Sequence, residues 1–273
     1  MLTTKQLQDI EQLQHECETH DQLQLKLNWG MLRNREGDQL DFIHYENGKL
    51  AAFLGLYPFG STVEVCGMVM PGERRKGYFQ QLFRQGMETA RHNGYKKILL
   101  NAPAGSDTAK AFLKKQGAVY AFSEHQMEWQ ERPLDAAEGV ALRHAAAEDF
   151  DMRVHLSVTG YGIDEADAQA MESRVEGDED TDMFMIEAND KTVGKIRVSR
   201  KDGQAWIYGF SILPDQRGKG IGRAVLRRVI QDQRSTGHSV HLEVETKNNH
   251  ALGLYESVGF KAVHAQDYYS YQL

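Results

Sequence analysis

The chain has 273 residues, of which 41% are hydrophobic and 26% charged, and its formal net charge is -7. This length favours two domains, and the composition is that of a soluble globular protein. The acidic balance argues against a nucleic-acid partner. No apolar run is long enough for a transmembrane helix, and the first residues lack the basic-then-apolar order of a signal peptide. Cys17 and Cys66 show no metal-ligand spacing, so reduced thiols and a cytoplasmic location are expected.

The first half of the chain predicts a helix, a hairpin, a third strand, a helix, a strand and a last helix. A polar helix is predicted from about Thr4 to Asn28, and alternating residues around Asn47-Gly48 predict the hairpin. The third strand ends at Pro71-Gly72, and the next helix opens at about Lys76 to Phe79. The apolar strand KKILLNAP and the helix DTAKAFLKKQ, which stops at Gly117, complete this half.

The second half repeats the same order. A hairpin is predicted around Asn189-Asp190, followed by the strand AWIYGFSIL, which ends at Pro214-Asp215. A glycine-rich turn, the helix GRAVLRRVIQDQ, the strand HSVHLEVE and the helix HALGLYES come next. This repetition predicts two copies of one domain, residues 1–133 and 134–273, joined by a short linker that contains Pro133. Each copy is expected to be an α/β (α+β) domain with a mixed, mostly antiparallel sheet flanked by helices.

The glycine-rich turn is the segment best suited to binding an anion. It follows a strand directly and opens a helix, so its glycines permit positive φ angles and close approach of a ligand. The helix start offers unpaired N–H groups and the positive end of the helix dipole, and two cations add charge. These features suit a pyrophosphate group. The segment comprises Gln216, Arg217, Gly218, Lys219, Gly220, Ile221 and Gly222.

Spacing separates the three kinds of phosphate-binding turn. A Walker A loop requires Gly-Lys followed by Ser or Thr, but Lys219 is followed by Gly220. A dinucleotide-binding turn requires G-x-G-x-x-G and an acidic ribose partner, whereas this turn reads G-x-G-x-G. The third pattern, R/Q-x-x-G-x-G/A, matches Arg217, Gly220 and Gly222, and in this the segment resembles the coenzyme A turn of the GNAT acyltransferases. A loop with three chance glycines is the structural alternative.

A second motif lies downstream, where the sequence NNHALGLYESVGF begins at Asn248. It resembles the C-terminal signature N-x-x-A-x-x-L-Y-x-x-x-G-F of the GNAT (GCN5-related N-acetyltransferase) superfamily. Together with the strand LEVE, the region resembles the bacterial protein N-terminal-amine acetyltransferases of that superfamily. The tandem layout resembles that of the mycothiol synthases. The resemblance covers most of residues 140–273 and implies an acetyl-CoA-dependent N-acetyltransferase.

The resemblance also implies roles for individual residues. Backbone amides of Ile212 and Leu213 would hold the pantetheine arm of the cofactor, and the turn 217–222 would bind its pyrophosphate. Asn248 matches the asparagine that contacts the cofactor. Tyr255 matches the tyrosine that acts as general acid to the departing thiolate. A tyrosine that only packs beneath the sheet is the structural alternative.

The general base is left open among several groups. The strand AWIYGFSIL carries no carboxylate, and Trp206 lies near the position where some GNAT enzymes have a glutamate. Glu243 and Glu245 are two residues apart on the next strand, so their side chains share a face. By resemblance Glu243 is ranked first and Glu245 second. Exposed strand carboxylates, or a water relay without a single base, are the alternatives.

The N-terminal copy departs from the family pattern. Arg74 and Gly77 fit its turn, but Phe79 stands where glycine or alanine is usual. A leucine also stands in place of the tyrosine, and leucine cannot donate a proton. A vestigial domain is therefore expected, with the C-terminal copy as the catalyst. The residues at the positions of the signature's asparagine, tyrosine and phenylalanine are Ser106, Leu113 and Ala118.

The acceptor is expected to be a primary amine, either a small cationic compound or a protein amine. The acidic segment 163–182 predicts attraction of a cationic amine, with a solvated loop as the alternative. No metal, nucleic acid or membrane partner is expected, and the protein is expected to be a monomer or homodimer. A non-catalytic acyl-CoA-binding or regulatory protein of the same fold is the competing hypothesis.

Overall fold

A computed structural model shows the fold of residues 1–35, 39–175 and 181–272. The chain divides into two compact units. Unit 1 consists of Met1–Ser123 and His264–Leu273, and unit 2 consists of Glu124–Val263. The domain boundary predicted between residues 133 and 134 stays a prediction, and the two units are used below.

Unit 1 is a mixed sheet with helices. Its strands run in the order β1-β2-β3-β4-β11, in which only β3 and β4 pair in parallel. The predicted first helix is shorter than expected, because Gln22 adopts φ 52° and ends it. The elements are α1 (Thr4–Asp21), α2 (Trp29–Arg33), β1 (Asp41–Glu46), β2 (Lys49–Phe59), β3 (Thr62–Val69), α3 (Tyr78–His92), β4 (Lys97–Pro103), α4 (Asp107–Lys115) and the end of β11 (Phe260–Tyr271).

Unit 2 repeats this plan. Its strands run in the order β5-β10-β9-β8-β7-β6, in which β9 and β10 pair in parallel. The elements are the end of β5 (Val119–Trp129), β6 (Ala141–His144), α5 (Phe150–Tyr161), α6 (Glu165–Val175), β7 (Thr181–Ala188), β8 (Lys191–Lys201), β9 (Gln204–Ile212), α7 (Ile221–Ser235), β10 (Ser239–Glu245) and α8 (Asn249–Val258).

Both predicted hairpins are confirmed. β1 and β2 pair around Asn47-Gly48, and β7 and β8 pair around Asn189-Asp190. Asn47, Asn189 and Asp190 all have positive φ, the conformation that two-residue hairpin turns require. The predicted mixed α/β fold with two similar copies is therefore present in the structure.

Alternation along the strands of unit 2 assigns the two faces of its sheet. One face packs on α7 and α8 and includes Ile196, Val198 and Leu242. Lys195 and Arg197 alternate with these residues on β8 and therefore lie on the opposite face. The site described below lies where β9 and β10 separate, and it has access to both faces.

Two further observations concern the cysteines and the helices. Cys17 and Cys66 are both buried, and neither forms a disulfide. In the part of the chain that the structure describes, no helix combines the length and apolar character needed to cross a membrane.

Candidate active site

The turn after β9 has the open backbone predicted for an anion site. Gly218 and Gly220 adopt φ 77° and 84°, and no atom lies within 4 Å of a Cβ placed on either residue. Arg217 Nε donates a hydrogen bond to the carbonyl oxygen of Ile212 at 2.9 Å. No carboxylate among the described residues forms an ion pair with Arg217. Its terminal nitrogens therefore remain available to an anionic ligand.

The start of α7 completes this anion site. Gly220 is the N-cap residue, and no side chain caps the helix. The first N–H groups of a helix have no partner within the helix, so an uncapped start favours a bound anion. Lys219 Nζ donates to Gln216 Oε1 at 3.0 Å, which keeps this exposed cation beside the turn.

A gap opens between β9 and β10 next to this turn. The two strands pair from Gln204 with Ser239 as far as Ile207 with Leu242, and no pairing follows. The remainder of β9 and the end of β10 therefore face each other without a ladder. Backbone groups on these edges can bind an extended ligand, because they lack strand partners.

The register of β8 and β9 decides which backbone groups face the gap. Leu213 N–H donates to Val193 O at 2.9 Å, and Leu213 O accepts from Gln216 N–H. The predicted cofactor contact through the Leu213 amide is thus not available, because β8 already uses that N–H. Gly194 and Ile212 form the adjacent antiparallel pair. In an antiparallel ladder, the N–H and C=O groups of successive residues point alternately toward the partner strand and away from it. The Ile212 amide therefore points toward the gap.

A β-bulge in β9 lies at the same place. Lys195 pairs with Ser211, but Arg197 pairs with Tyr208, so β9 carries one extra residue. Gly209 at this point has φ 58°. A bulge of this kind redirects backbone groups and side chains beside it. Gly209 inside the predicted strand is the sequence signal for this bulge, which was not among the predicted features.

The C-terminal end of α5 is held against the bulge. Tyr161 Oη donates to the carbonyl oxygen of Phe210 at 3.1 Å, and Ser211 Oγ donates to Leu156 O at 3.0 Å. Gly160 permits this approach, since an added Cβ would lie 2.3 Å from Ser211 Oγ. These contacts hold the end of β9 in place on its side of the gap.

Tyr255 lies on α8 within the core of unit 2, on the face of the sheet that carries Leu242 and Val244. Its side chain is 9% exposed, and burial raises the pKa of its phenol to about 12. Its ring makes an edge contact with Phe260, with centroids 6.0 Å apart. A phenol with such a pKa remains protonated at neutral pH and can donate a proton.

Asn248 is the N-cap of α8. Its Oδ1 accepts a hydrogen bond from Ala251 N–H at 3.1 Å. Ser106 performs the same function for α4 in unit 1, where its Oγ accepts from Ala109 N–H at 3.4 Å. The structure therefore shows a capping role for Asn248, and contact with the cofactor stays a prediction.

Glu243 and Glu245 lie on β10, on the face opposite to Tyr255. Val240, Leu242 and Val244 alternate with them and belong to the core on the α7 and α8 side. Glu243 is half-buried, whereas Glu245 is exposed at the end of the strand. The candidate acid and the candidate base thus flank the gap from opposite faces of the sheet.

Trp206, which lies on β9 near the position where some GNAT enzymes have a glutamate, belongs to an aromatic stack. Trp206 stacks on His241 of β10 with ring centroids 4.9 Å apart, and on Tyr208 at 6.2 Å. Burial lowers the pKa of His241, so this imidazole is neutral at neutral pH. Trp206 therefore packs on the face that carries Glu243.

The predicted acidic segment does not form an open acidic surface throughout. Residues 165–175 form α6, and Glu172 turns inward to pair with the buried Lys195. Lys195 Nζ also donates to Ser157 Oγ at 2.5 Å and to Arg153 O at 3.0 Å. Residues 176–180, which carry several of the predicted carboxylates, lie outside the described residues.

In the equivalent turn of unit 1, Arg74 takes the place of Arg217 and is paired with a carboxylate. Arg74 Nε donates to Val69 O at 3.2 Å, as Arg217 does to Ile212. The terminal nitrogens of Arg74, however, donate to both carboxylate oxygens of Asp21 at 2.9 and 2.5 Å. The anion position of this turn is therefore filled by a carboxylate of unit 1 itself.

Other features of the unit 2 site are missing from unit 1. β2 and β3 pair in continuous register from Ala52 with Val69 to Phe59 with Thr62, so no bulge interrupts β3. Alignment of the caps Ser106 and Asn248 places Leu113 at the position of Tyr255, and Asn101 at that of Glu243. Neither replacement can perform the acid or base chemistry.

Each unit has a parallel pair of strands that separates next to a turn with a glycine at a helix start. This arrangement is consistent with a transferase that uses acyl-CoA. A family model described as the acetyltransferase (GNAT) family matches residues 4–118 and 141–260. The chain belongs to this family. It is an acetyl-CoA-dependent N-acetyltransferase.

Individual proteins show the same relationship. The mycothiol acetyltransferase of Thermomonospora curvata is 24% identical over 278 residues, which cover 95% of this chain and 91% of that protein. The N-alpha-acetyltransferase RimI of Mycobacterium tuberculosis is 44% identical over 57 residues, which cover 21% of this chain and 35% of that protein. A solved GCN5-related N-acetyltransferase from Sphaerobacter thermophilus has the same fold, with a TM-score of 0.76 at 20% identity, over 96% of this chain and 91% of that one.

Proposed function

We propose that unit 2 transfers the acetyl group of acetyl-CoA to a primary amine by direct attack. The single observation that carries this proposal is the gap between β9 and β10 in unit 2. It adjoins an uncapped helix start and is flanked by Tyr255 on one face and Glu243 on the other. The proposal agrees with the similarity of this chain to a mycothiol acetyltransferase and to the N-alpha-acetyltransferase RimI.

The residues of unit 2 fit the cofactor. Acetyl-CoA supplies an activated thioester and a pyrophosphate by which the protein can hold it. The turn 217–222 would bind the pyrophosphate through its backbone N–H groups, with Arg217 and Lys219 supplying charge. The outward-facing amide of Ile212 would pair with the pantetheine arm, and the free amide nitrogen of Asn248 could add a contact.

The reaction requires two bond changes and two proton transfers. The amine nitrogen attacks the thioester carbonyl carbon, and the carbon–sulfur bond then breaks. Glu243 would take the proton that the nitrogen loses, directly or through water, and Tyr255 would give its phenol proton to the departing sulfur. The amide and the free thiol are the products. Glu245 is the second candidate base, and its exposed position at the strand end makes it the weaker one.

A thiol-release assay tests the proposal. The purified protein is incubated with acetyl-CoA and a panel of amines, and acetylated products are identified by mass spectrometry. Turnover on at least one amine is expected. The competing hypothesis of a non-catalytic acyl-CoA-binding protein predicts tight binding of CoA without turnover. A calorimetric titration that shows no CoA binding would contradict both. The cytoplasmic location and the oligomeric state stay predictions.

A further inference from the structure

Two cations lie two residues apart on the same face of β8. Lys195 is fully buried, and Glu172 of α6 supplies its carboxylate partner. The Nε atom of Arg197 is also buried, but it has no hydrogen-bond partner within the described residues. No carboxylate in that part of the chain forms an ion pair with Arg197 either. The fold thus neutralises one cation of the pair and leaves the other without an anion.

Several other arginines of unit 2 have carboxylate partners. Arg143 pairs with Asp149 and Glu187 at 2.8 Å each, and Arg228 pairs with Asp232 at 2.9 Å. Leaving the buried Nε–H of Arg197 without an acceptor is unfavourable, because this group loses water and gains no replacement. Arg197 is therefore a position where a bound molecule can supply the missing acceptor.

Arg197 lies beside the gap that the acceptor must enter. It pairs in register with Tyr208, the first residue of β9 beyond the last pair with β10. Its guanidinium carbon lies 5.1 Å from the centroid of the Tyr208 ring, which holds the side chain against the sheet. The bulge residue Gly209 approaches from the same side, since its added Cβ would lie 3.9 Å from Arg197 Cβ.

Arg197 and the candidate base lie on either side of this gap. Glu243 is on β10, on the same face of the sheet, with β9 between the two. At the usual strand spacing, two strand steps separate their Cα atoms by about 10 Å, and the widening gap adds to this. The ring of Tyr208 lies on this face between the two strands, so a small molecule that spans from Arg197 to Glu243 would lie over this ring.

We propose that Arg197 binds an oxyanion group of the acceptor, so that the acceptor is a small amine that also carries a carboxylate or phosphate. A guanidinium presents parallel N–H donors that match both groups in a bidentate arrangement. This inference rests on the proposed function, because it assigns the second group of the same acceptor. It disfavours a polyamine, whose additional positive charges Arg197 would repel.

The equivalent position in unit 1 agrees with a role tied to catalysis. Gly55 pairs with Cys66 there, as Arg197 pairs with Tyr208 in unit 2. A Cβ added at Gly55 would lie 2.9 Å from Tyr57 Oη, so Tyr57 fills the space that a longer side chain would need. Unit 1 lacks the arginine together with the candidate acid and base.

Matched amine pairs test the proposal. β-Alanine, γ-aminobutyrate and ε-aminocaproate are each compared with the amino alcohol in which a CH2OH group replaces the carboxylate. Phosphoethanolamine is compared with ethanolamine, which separates phosphate from carboxylate recognition. For at least one pair, the wild-type protein should show a kcat/KM for the anionic member that is about 10- to 100-fold higher, the size expected for a charge-assisted hydrogen bond. Arg197→Met should remove this preference by lowering kcat/KM for the anionic member about 10- to 100-fold more than for the neutral member.

Two variants control for charge and folding. Arg197→Lys keeps the charge but loses the bidentate geometry, so it should restore only part of the preference. Arg228→Met removes an exposed cation of α7 and should leave the preference intact. Equal kcat/KM for both members of every pair in the wild-type protein overturns the proposal, even if Arg197→Met fails to fold. An equal loss on both members in Arg197→Met overturns it as well.

A binding measurement separates this inference from the proposed function. If no amine is acetylated, the same pairs are titrated into the protein saturated with CoA and followed by calorimetry. The anionic members should then bind the wild-type protein more tightly than Arg197→Met. Equal affinity for both proteins, or for both members of each pair, overturns the role of Arg197. The lack of turnover would by itself contradict only the proposed function.

Discussion

The ring of Phe79 lies directly against Gly67 in unit 1, where a Cβ added to the glycine would be 2.6 Å from ring atom Cε2. In unit 2 the residue types are exchanged, and Phe210 on β9 lies 3.6 Å from a Cβ added to Gly222 on α7. The same space is thus filled from the helix in unit 1 and from the strand in unit 2. Unit 2 therefore has no side chain at Gly222 in the first turn of its helix, where unit 1 has the ring of Phe79.

The first prediction exchanges these residues in unit 2. Gly222→Phe alone should reduce the free energy of unfolding by roughly 1–3 kcal/mol, because the new ring overlaps Phe210 and Leu254. Gly222→Phe combined with Phe210→Gly should recover most of this stability, because it reproduces the packing of unit 1. CoA affinity should remain about tenfold or more below that of the wild-type protein, a loss of about 1.4 kcal/mol. Denaturant unfolding and calorimetry measure the two quantities, and recovery of full CoA affinity in the double variant would refute the argument.

The second prediction concerns Tyr255. Its phenol acts only while the carbon–sulfur bond breaks, so Tyr255→Phe should leave CoA affinity nearly unchanged. The value of kcat should fall by about 100- to 10,000-fold, the usual contribution of a general acid. Tyr120→Phe, an exposed tyrosine of unit 1, is the matched control and should keep full activity. Near-normal kcat in Tyr255→Phe would show that the ring has only a packing role.

The third prediction is the shape of the pH profile. Burial raises the pKa of Tyr255 to about 12, so the phenol keeps its proton as the pH rises through the usual assay range. A required acid produces a fall in kcat only when the pH approaches its own pKa. We therefore expect kcat to show no basic limb below about pH 11 that depends on Tyr255. A limb near pH 9 that is present in the wild-type protein and absent in Tyr255→Phe would contradict the effect of burial.

The fourth prediction ranks the two carboxylates of β10. Glu243→Gln should lower kcat substantially and make the remaining rate depend on the fraction of free amine that solution pH supplies. Glu245→Gln should change kcat little, because this side chain is exposed at the strand end. The two variants are matched, since they remove the same charge from one strand face. The reverse ranking would move the base to Glu245, and equal small effects would favour a water relay.

The sequence predicted most elements and the turn because local chemistry determines them. The hairpins follow from Asn47-Gly48 and Asn189-Asp190, and the helix start follows from Gly218 and Gly220, whose positive φ angles the structure shows. The pairing partners of β5 and β11 were not predicted. The last strand, β11, pairs with β4 in unit 1, and β5 pairs with β10 in unit 2. Such long-range pairing depends on register and packing, which periodicity does not specify.

The candidate site was predicted only where a motif carries it. The turn and Tyr255 belong to contiguous patterns, whereas Arg197 looks like any charged residue of an alternating strand. Its unpaired state is a property of the folded chain, because Glu172 reaches Lys195 and no described carboxylate reaches Arg197. The N–H of Leu213 is likewise unavailable to a ligand only because it donates to the carbonyl oxygen of Val193, and sequence spacing cannot reveal this hydrogen bond.

The central claim is that unit 2, and not unit 1, binds the acetyl-CoA that the reaction uses. Gly220 and Gly77 form a matched pair for this test, because both precede a helix at positive φ, 84° and 92°, with open space around an added Cβ. Valine should therefore introduce similar backbone strain of roughly 1–3 kcal/mol at either position.

The deciding measurement is a calorimetric titration of CoA into the wild-type protein, Gly220→Val and Gly77→Val, with kcat determined on the same samples. We expect one CoA per chain in the wild-type protein. Gly220→Val should raise the Kd for CoA by about tenfold or more and lower kcat/KM in proportion, because its backbone no longer approaches the pyrophosphate. Gly77→Val should match the wild-type protein in both quantities. Equal losses at the two positions, or loss only in Gly77→Val, would contradict the assignment of the active site to unit 2.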